Sequence, residues 1–62
     1  MDAGVVMFYH EDKGFGFIHT EGGDIYVRAD GLRDQIGKGD QVEFNLALGP
    51  NGAPMAVDVK LQ

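Results

Sequence analysis

The chain has 62 residues, with ten Asp and Glu against five Lys and Arg, a net charge of −5, ten Gly, two Pro and no Cys. So short a chain forms one domain, residues 1–62, which buries only about 60% of its unfolded surface, and without cysteine neither a disulfide framework nor a zinc finger staples it. Its 44% apolar content excludes the disordered class, while its acidity runs against the basic footprint usual in nucleic-acid binders.

In chain order, Met1-Asp2-Ala3-Gly4 lacks the positive start of a secretion signal, and the longest apolar run, Val5 to Tyr9, is far too short to span a membrane. A soluble, cytoplasmic protein is the expectation. Gly4 to Tyr9 reads as a first strand, followed by a turn at Glu11-Asp12-Lys13. Gly14 to His19 is a second strand, Thr20-Glu21-Gly22-Gly23 a second turn, and Asp24 to Arg28 a third strand. The connection from Ala29 to Gly39 is longer. Only Asp30 to Ile36 leaves room for a helical turn there, and Gly31 and Gly37 limit it to one. Asp40 to Leu48 is a fourth strand, Gly49-Pro50-Asn51-Gly52-Ala53-Pro54 a turn, and Met55 to Leu61 a fifth strand.

Five short antiparallel strands must protect their edges, and closing the sheet does so most economically. The pattern therefore predicts an all-β, five-stranded, partly open antiparallel barrel of the OB type, with an SH3-like barrel as the alternative.

Side chains alternate between the two faces of a strand. On the second strand Phe15, Phe17 and His19 share one face and Gly14, Gly16 and Ile18 the other; on the third, Ile25 and Val27 oppose Tyr26 and Arg28. If the aliphatics point inward, Phe15, Phe17, Tyr26 and Arg28 point outward together. The inverse arrangement buries an arginine and exposes glycines, at far greater cost. A contiguous patch of exposed rings on a soluble domain marks an interaction site.

Lys13-Gly14-Phe15-Gly16-Phe17-Ile18-His19-Thr20 nearly follows the ribonucleoprotein pattern of RNA-recognition domains, departing at Ile18 and at Thr20. Aromatics at alternate positions present flat rings on which successive bases stack, the glycines let the strand bend, and Lys13 stands at the strand entrance for a phosphate. The two βαβ units of a true RNA-recognition domain have no counterpart, because the chain lacks helical periodicity.

Taken together, these segments resemble the cold-shock domain family along essentially the whole chain. Gly4-Val5-Val6-Met7-Phe8-Tyr9-His10 is similar to the family's first strand, and Lys13-Gly14-Phe15-Gly16-Phe17-Ile18 matches its first nucleic-acid-binding motif letter for letter. Asp24-Ile25-Tyr26-Val27-Arg28-Ala29 is similar to the second motif, usually Asp-Val-Phe-Val-His-Phe. Gly39 to Phe44 and Gly52 to Val59 look like the fourth and fifth strands. The resemblance implies an OB-like barrel that binds single-stranded RNA or DNA, with RNA chaperoning, antitermination or translational control as roles and a preference for pyrimidines.

Several departures bear on that expectation. Val5 and Met7 stand where the family usually has lysines, Phe8 where it has tryptophan, and Arg28-Ala29 where it has His-Phe; the connection from Leu32 to Ile36 is shorter and lacks an aromatic. Four stacking candidates remain, Phe8, Phe15, Phe17 and Tyr26, with Lys13 for phosphate and Arg28 as a planar cation that also stacks. Simple alternation puts Val6 and Phe8 on one face, whereas the resemblance places Val6 and Tyr9 inside and Phe8 outside, which requires a bulge in the first strand. Arg28 is otherwise a solvated charge or a partner of Asp24 or Asp30.

His19 shares the face of Phe15 and Phe17 and is a candidate extension of the platform; His10, where the family often has Asn, is a candidate for a base contact or a turn cap. No cysteine accompanies either histidine, so no metal or other cofactor is expected. Arg33, Lys38 and Lys60 read as solubility charges. Paired carboxylates, a dinucleotide fingerprint and a nucleophile motif are all missing, so no enzymatic activity is expected. The expected function is binding of single-stranded RNA or DNA with little sequence preference, as a monomer. The alternative is a protein-interaction or weakly self-associating module, in which Val5, Met7 and Ala29 turn the same face into an apolar contact.

Overall fold

The alternation read from the sequence folds into five strands around one core in a computed structural model that describes residues 1–62. They are β1 (Asp2–His10), β2 (Phe15–Thr20), β3 (Gly23–Arg28), β4 (Gln41–Leu48) and β5 (Pro54–Leu61), with one 3-10 turn at Ala29–Gly31. The sheet closes into a barrel in the order β1-β2-β3-β5-β4. No helix is long and apolar enough to cross a membrane.

Three features differ from the sequence expectation. The barrel is closed, and its seam between β3 and β5 is parallel, pairing Tyr26 with Met55 and Val27 with Ala56. The other four seams are antiparallel. Topology explains the exception: directions cannot alternate all the way round a ring with an odd number of strands, so at least one neighbouring pair must run the same way. The helical turn is also shorter and earlier than Asp30 to Ile36. Gly31 ends it because the chain there lies against β5, where an added Cβ would sit 2.8 Å from the Ala56 carbonyl oxygen. Beyond it the connection is tied to β5 by the Arg33 N–H, which donates to the Val59 carbonyl at 2.7 Å, and by the Leu61 N–H, which donates to the Asp34 carboxylate at 2.9 Å.

The core comprises Val6, Ile18, Val27, Ile36, Val42, Phe44, Ala56 and Val59, with Tyr9, Ile25 and Leu32 packed against it. Two pairs of inward residues, Val6 with Tyr9 and Ala56 with Val59, are three apart, which strict alternation forbids. A bulge resolves each. On β1, Val6 pairs with Ile18 and Phe8 with Phe17, so Met7 is the extra residue. On β5, Lys60 pairs with Glu43 and Val57 with Asn45, so Asp58 and Val59 together oppose Phe44. Asp58 absorbs the irregularity with φ 53° and takes the Arg33 guanidinium on its carboxylate at 3.1 Å.

The left-handed conformation costs an ordinary side chain roughly 1–2 kcal/mol, and Asp and Asn tolerate it best. Asp58→Val should therefore lower unfolding free energy by about 1–2 kcal/mol. Asp58→Asn should stay within roughly 1 kcal/mol of the parent, because the exposed ion pair contributes little. Urea unfolding of the two variants checks this; equal midpoints would remove conformation as the reason for Asp at this bulge.

Candidate nucleic-acid interface

The interface is built on the outer face of β1, β2 and β3. The Met7 bulge turns Phe8 outward beside Phe17, their ring centroids 5.6 Å apart. Register then sets Phe17 opposite Tyr26 and Phe15 opposite Arg28. Phe17 meets Tyr26 edge-on at 5.6 Å, Phe15 stacks with Tyr26 at 6.1 Å, and Phe8 meets Phe15 edge-on at 6.1 Å. All four rings are half-buried, each supported by its neighbours yet open on one side. Such offset and edge-on arrangements are the ones ring quadrupoles favour.

Glycine makes this face possible at two positions. Gly16 lies buried beneath the rings, where a Cβ would collide with the Phe8 carbonyl and the Tyr9 ring, so β1 and β2 approach closely only without one. Gly14 turns the chain into β2 at φ +72°, its N–H donating to the His10 carbonyl at 2.7 Å. That turn leaves Lys13 exposed directly before β2.

The two histidines separate. His10 joins the cluster, 5.2 Å from Phe8 and 5.5 Å from Phe15 between centroids, and becomes its fifth ring. His19 makes no ring contact with the others; its Nδ1 lies 3.1 Å from the Asp24 carboxylate. Asp24 is thereby engaged, and the Arg28 side chain has neither an ion pair nor an intrachain hydrogen bond. Among the other cations, Arg33 pairs with Asp58 at 3.1 Å and Lys60 approaches Glu43 at 4.0 Å. Lys13, Arg28 and Lys38 form no ion pair. Nearest the rings in sequence, Glu11 accepts a hydrogen bond from the Gln35 carboxamide at 3.0 Å.

One part of the surface went unread in the sequence. Between Phe17, Tyr26 and Arg28 and the β4–β5 turn lies a cleft of about 500 Å³. The parallel seam creates it by setting Met55 opposite Tyr26, and a reading limited to neighbouring hairpins has no signal for that pairing.

The family described as 'Cold-shock' DNA-binding domain matches residues 2–62. Cold shock protein CspB of Bacillus caldolyticus is 33% identical over 66 residues, covering 98% of this chain and 100% of that protein. Cold shock-like protein CspLB of Listeria monocytogenes is 35% identical over 57 residues, 84% of this chain and 86% of the relative. Glycine-rich protein 2 of Nicotiana sylvestris is 37% identical over 62 residues, covering 90% of this chain but 29% of the plant protein's own length.

Proposed function

The chain belongs to the cold-shock domain family, a family of nucleic-acid-binding barrels, and we propose that it binds single-stranded RNA or DNA by stacking unpaired bases on Phe8, Phe15, Phe17 and Tyr26. The observation that carries this reading is the clustering of those four rings, half-buried, on one outer face. Every base has a π-face, so a platform of rings is tolerant of sequence. Lys13 and Arg28 supply the charge, and His10 adds an imidazole at the β1 end of the platform. No catalytic step is part of this reading. Binding the unpaired form shifts strand pairing toward it by mass action, which is how an RNA chaperone or a regulator of transcription or translation would act.

Base stacking contributes about 1–3 kcal/mol per ring, so four rings offer roughly 4–12 kcal/mol before strand ordering is subtracted. Once that cost is taken off, affinity on the order of micromolar or poorer is expected. With two cations meeting phosphates at about 0.7 each, the logarithm of the affinity should fall with that of salt at a slope near −1.4. Titration of oligothymidine from low to high salt, followed by tyrosine fluorescence, checks it; a slope of about −4 or steeper would mean that other basic residues carry the strand.

Val5 and Met7, 41% and 42% exposed on the strand that carries Phe8, favour a second reading, an apolar contact with a protein partner or a second copy. Amide shifts separate the two. Perturbation by oligothymidine centred on Phe15, Phe17 and Tyr26 supports strand binding. No response at millimolar strand, with concentration-dependent shifts at Val5 and Met7, supports protein contact instead.

A further inference from the structure

Beyond the rings, the outer face of β3 continues into the cleft that the β4–β5 turn closes. Phe17, Tyr26, Pro50, Pro54 and Met55 supply its apolar lining, with Tyr26 and Met55 paired side by side across the parallel seam. Two exposed polar side chains, Arg28 and Asn51, complete the lining. Arg28, two residues from Tyr26 and therefore on the same face of β3, has no intrachain partner for its side chain. Asn51 uses its carbonyl oxygen to accept the Ala53 N–H at 3.1 Å, which fixes the carboxamide and leaves its amino group as a donor. No carboxylate lines the cleft.

An apolar lining with donors beside it suits a planar ring whose edge carries acceptors. A bare phosphate would use Arg28 but gain nothing from the apolar lining. Among the bases, guanine presents O6 and N7 side by side, the pair that an arginine fork meets bidentately. Adenine replaces O6 with an amino group and thymine or uracil offers O4 next to an N–H, each setting a donor against a donor. Cytosine does present a second acceptor pair, O2 and N3, on its unpaired Watson–Crick edge, but only a single ring to cover the apolar lining. Resting on the stacking function above, we infer that this cleft is a base-specific subsite for a single guanine, which lies against Tyr26 and Met55 while Arg28 donates to O6 and N7. The chain thus combines a sequence-tolerant ring platform with one position at which it reads the base.

The test compares heptathymidine with strands carrying one guanosine at each position in turn, then with adenosine, cytidine or 7-deazaguanosine at the best position. One guanosine position should bind about fivefold tighter or better than thymidine, the lower end of discrimination for a bidentate contact. The gain should be lost with adenosine or cytidine, fall sharply with 7-deazaguanosine, which lacks N7, and shrink toward a ratio of one in Arg28→Lys; an equal gain with cytidine overturns the guanine subsite. Circular dichroism of that variant confirms its fold. Strong binding of heptathymidine with no gain from guanosine anywhere overturns the subsite and leaves the platform standing. A gain that survives 7-deazaguanosine or Arg28→Lys overturns it likewise, and absence of binding by every strand overturns both.

Discussion

Phe17→Ala should weaken binding of a single strand at least fivefold, about 1 kcal/mol or more, while the barrel stays folded. Phe17 stands at the centre of the platform, 5.6 Å from Phe8 on one side and from Tyr26 on the other, so its removal deletes one stacking surface and loosens two more. Phe15→Ala should behave similarly, since that ring touches Phe8, His10 and Tyr26. Stability also falls, by about 0.5–1.5 kcal/mol for each ring pair lost and so by roughly 1–3 kcal/mol for the two pairs of Phe17, less than the loss of a core ring because these rings lie outside the core. Oligothymidine titration paired with urea unfolding reads both effects. Because Phe15 and Phe17 share Tyr26 and Phe8, the double variant should depart from additivity. Unchanged affinity in either single variant would sink the platform, and loss of the fold would show that these rings support the barrel.

Phe44→Ala should have the opposite consequence from the same chemical change. Phe44 is 1% exposed, pairs with Asp2 on β1 and faces the widened β5 at Asp58 and Val59. Burying a ring and then deleting it costs about 3–5 kcal/mol, transfer and cavity together. Total stability at about 0.05–0.15 kcal/mol per residue comes to roughly 3–9 kcal/mol for a chain of this length. The variant is therefore expected to be largely unfolded at 37 °C, or to melt far below the parent, by far-ultraviolet circular dichroism. A cooperative transition within a few degrees of the parent would mean that Phe44 does not anchor the core. The two phenylalanines together separate a ring held for binding from one held for folding.

Much of this division was legible in the residues. Period-two alternation placed Ile18 and Val27 inside with Phe15, Phe17 and Tyr26 outside, because the geometry of a strand leaves no other choice once Arg28 must stay in water. The bulge on β1 was legible only through the family resemblance, which required Val6 and Tyr9 inside and Phe8 outside. Nothing comparable announced the bulge on β5, because Met55, Val57 and Val59 satisfy plain alternation and only the packing shows Ala56 and Val59 inside.

The charge balance is the feature that tertiary structure changed most. Net −5 is a sum, and a sum does not say which charges are engaged. Asp58 holds Arg33, Asp24 lies against His19 and Glu11 accepts from Gln35, whereas Lys13 and Arg28 stand unpaired around the rings. The Gln35 carboxamide leaves Glu11 charged, and exposed Asp12 and Asp30 lie close in sequence to Lys13 and Arg28, so these two free cations stand in an acidic surround and the overall charge gives a polyanion no long-range steering.

The sequence by itself determined the strands, the inward and outward faces and the ring motif, since all three follow from local period and from what water will accept. Only the closed barrel decided that His10 joins the rings while His19 does not, that Arg28 is unpaired, and that Met55 walls a cleft beside Tyr26. Those depend on pairing between segments far apart in the chain, above all on the one parallel seam that an odd ring of strands requires.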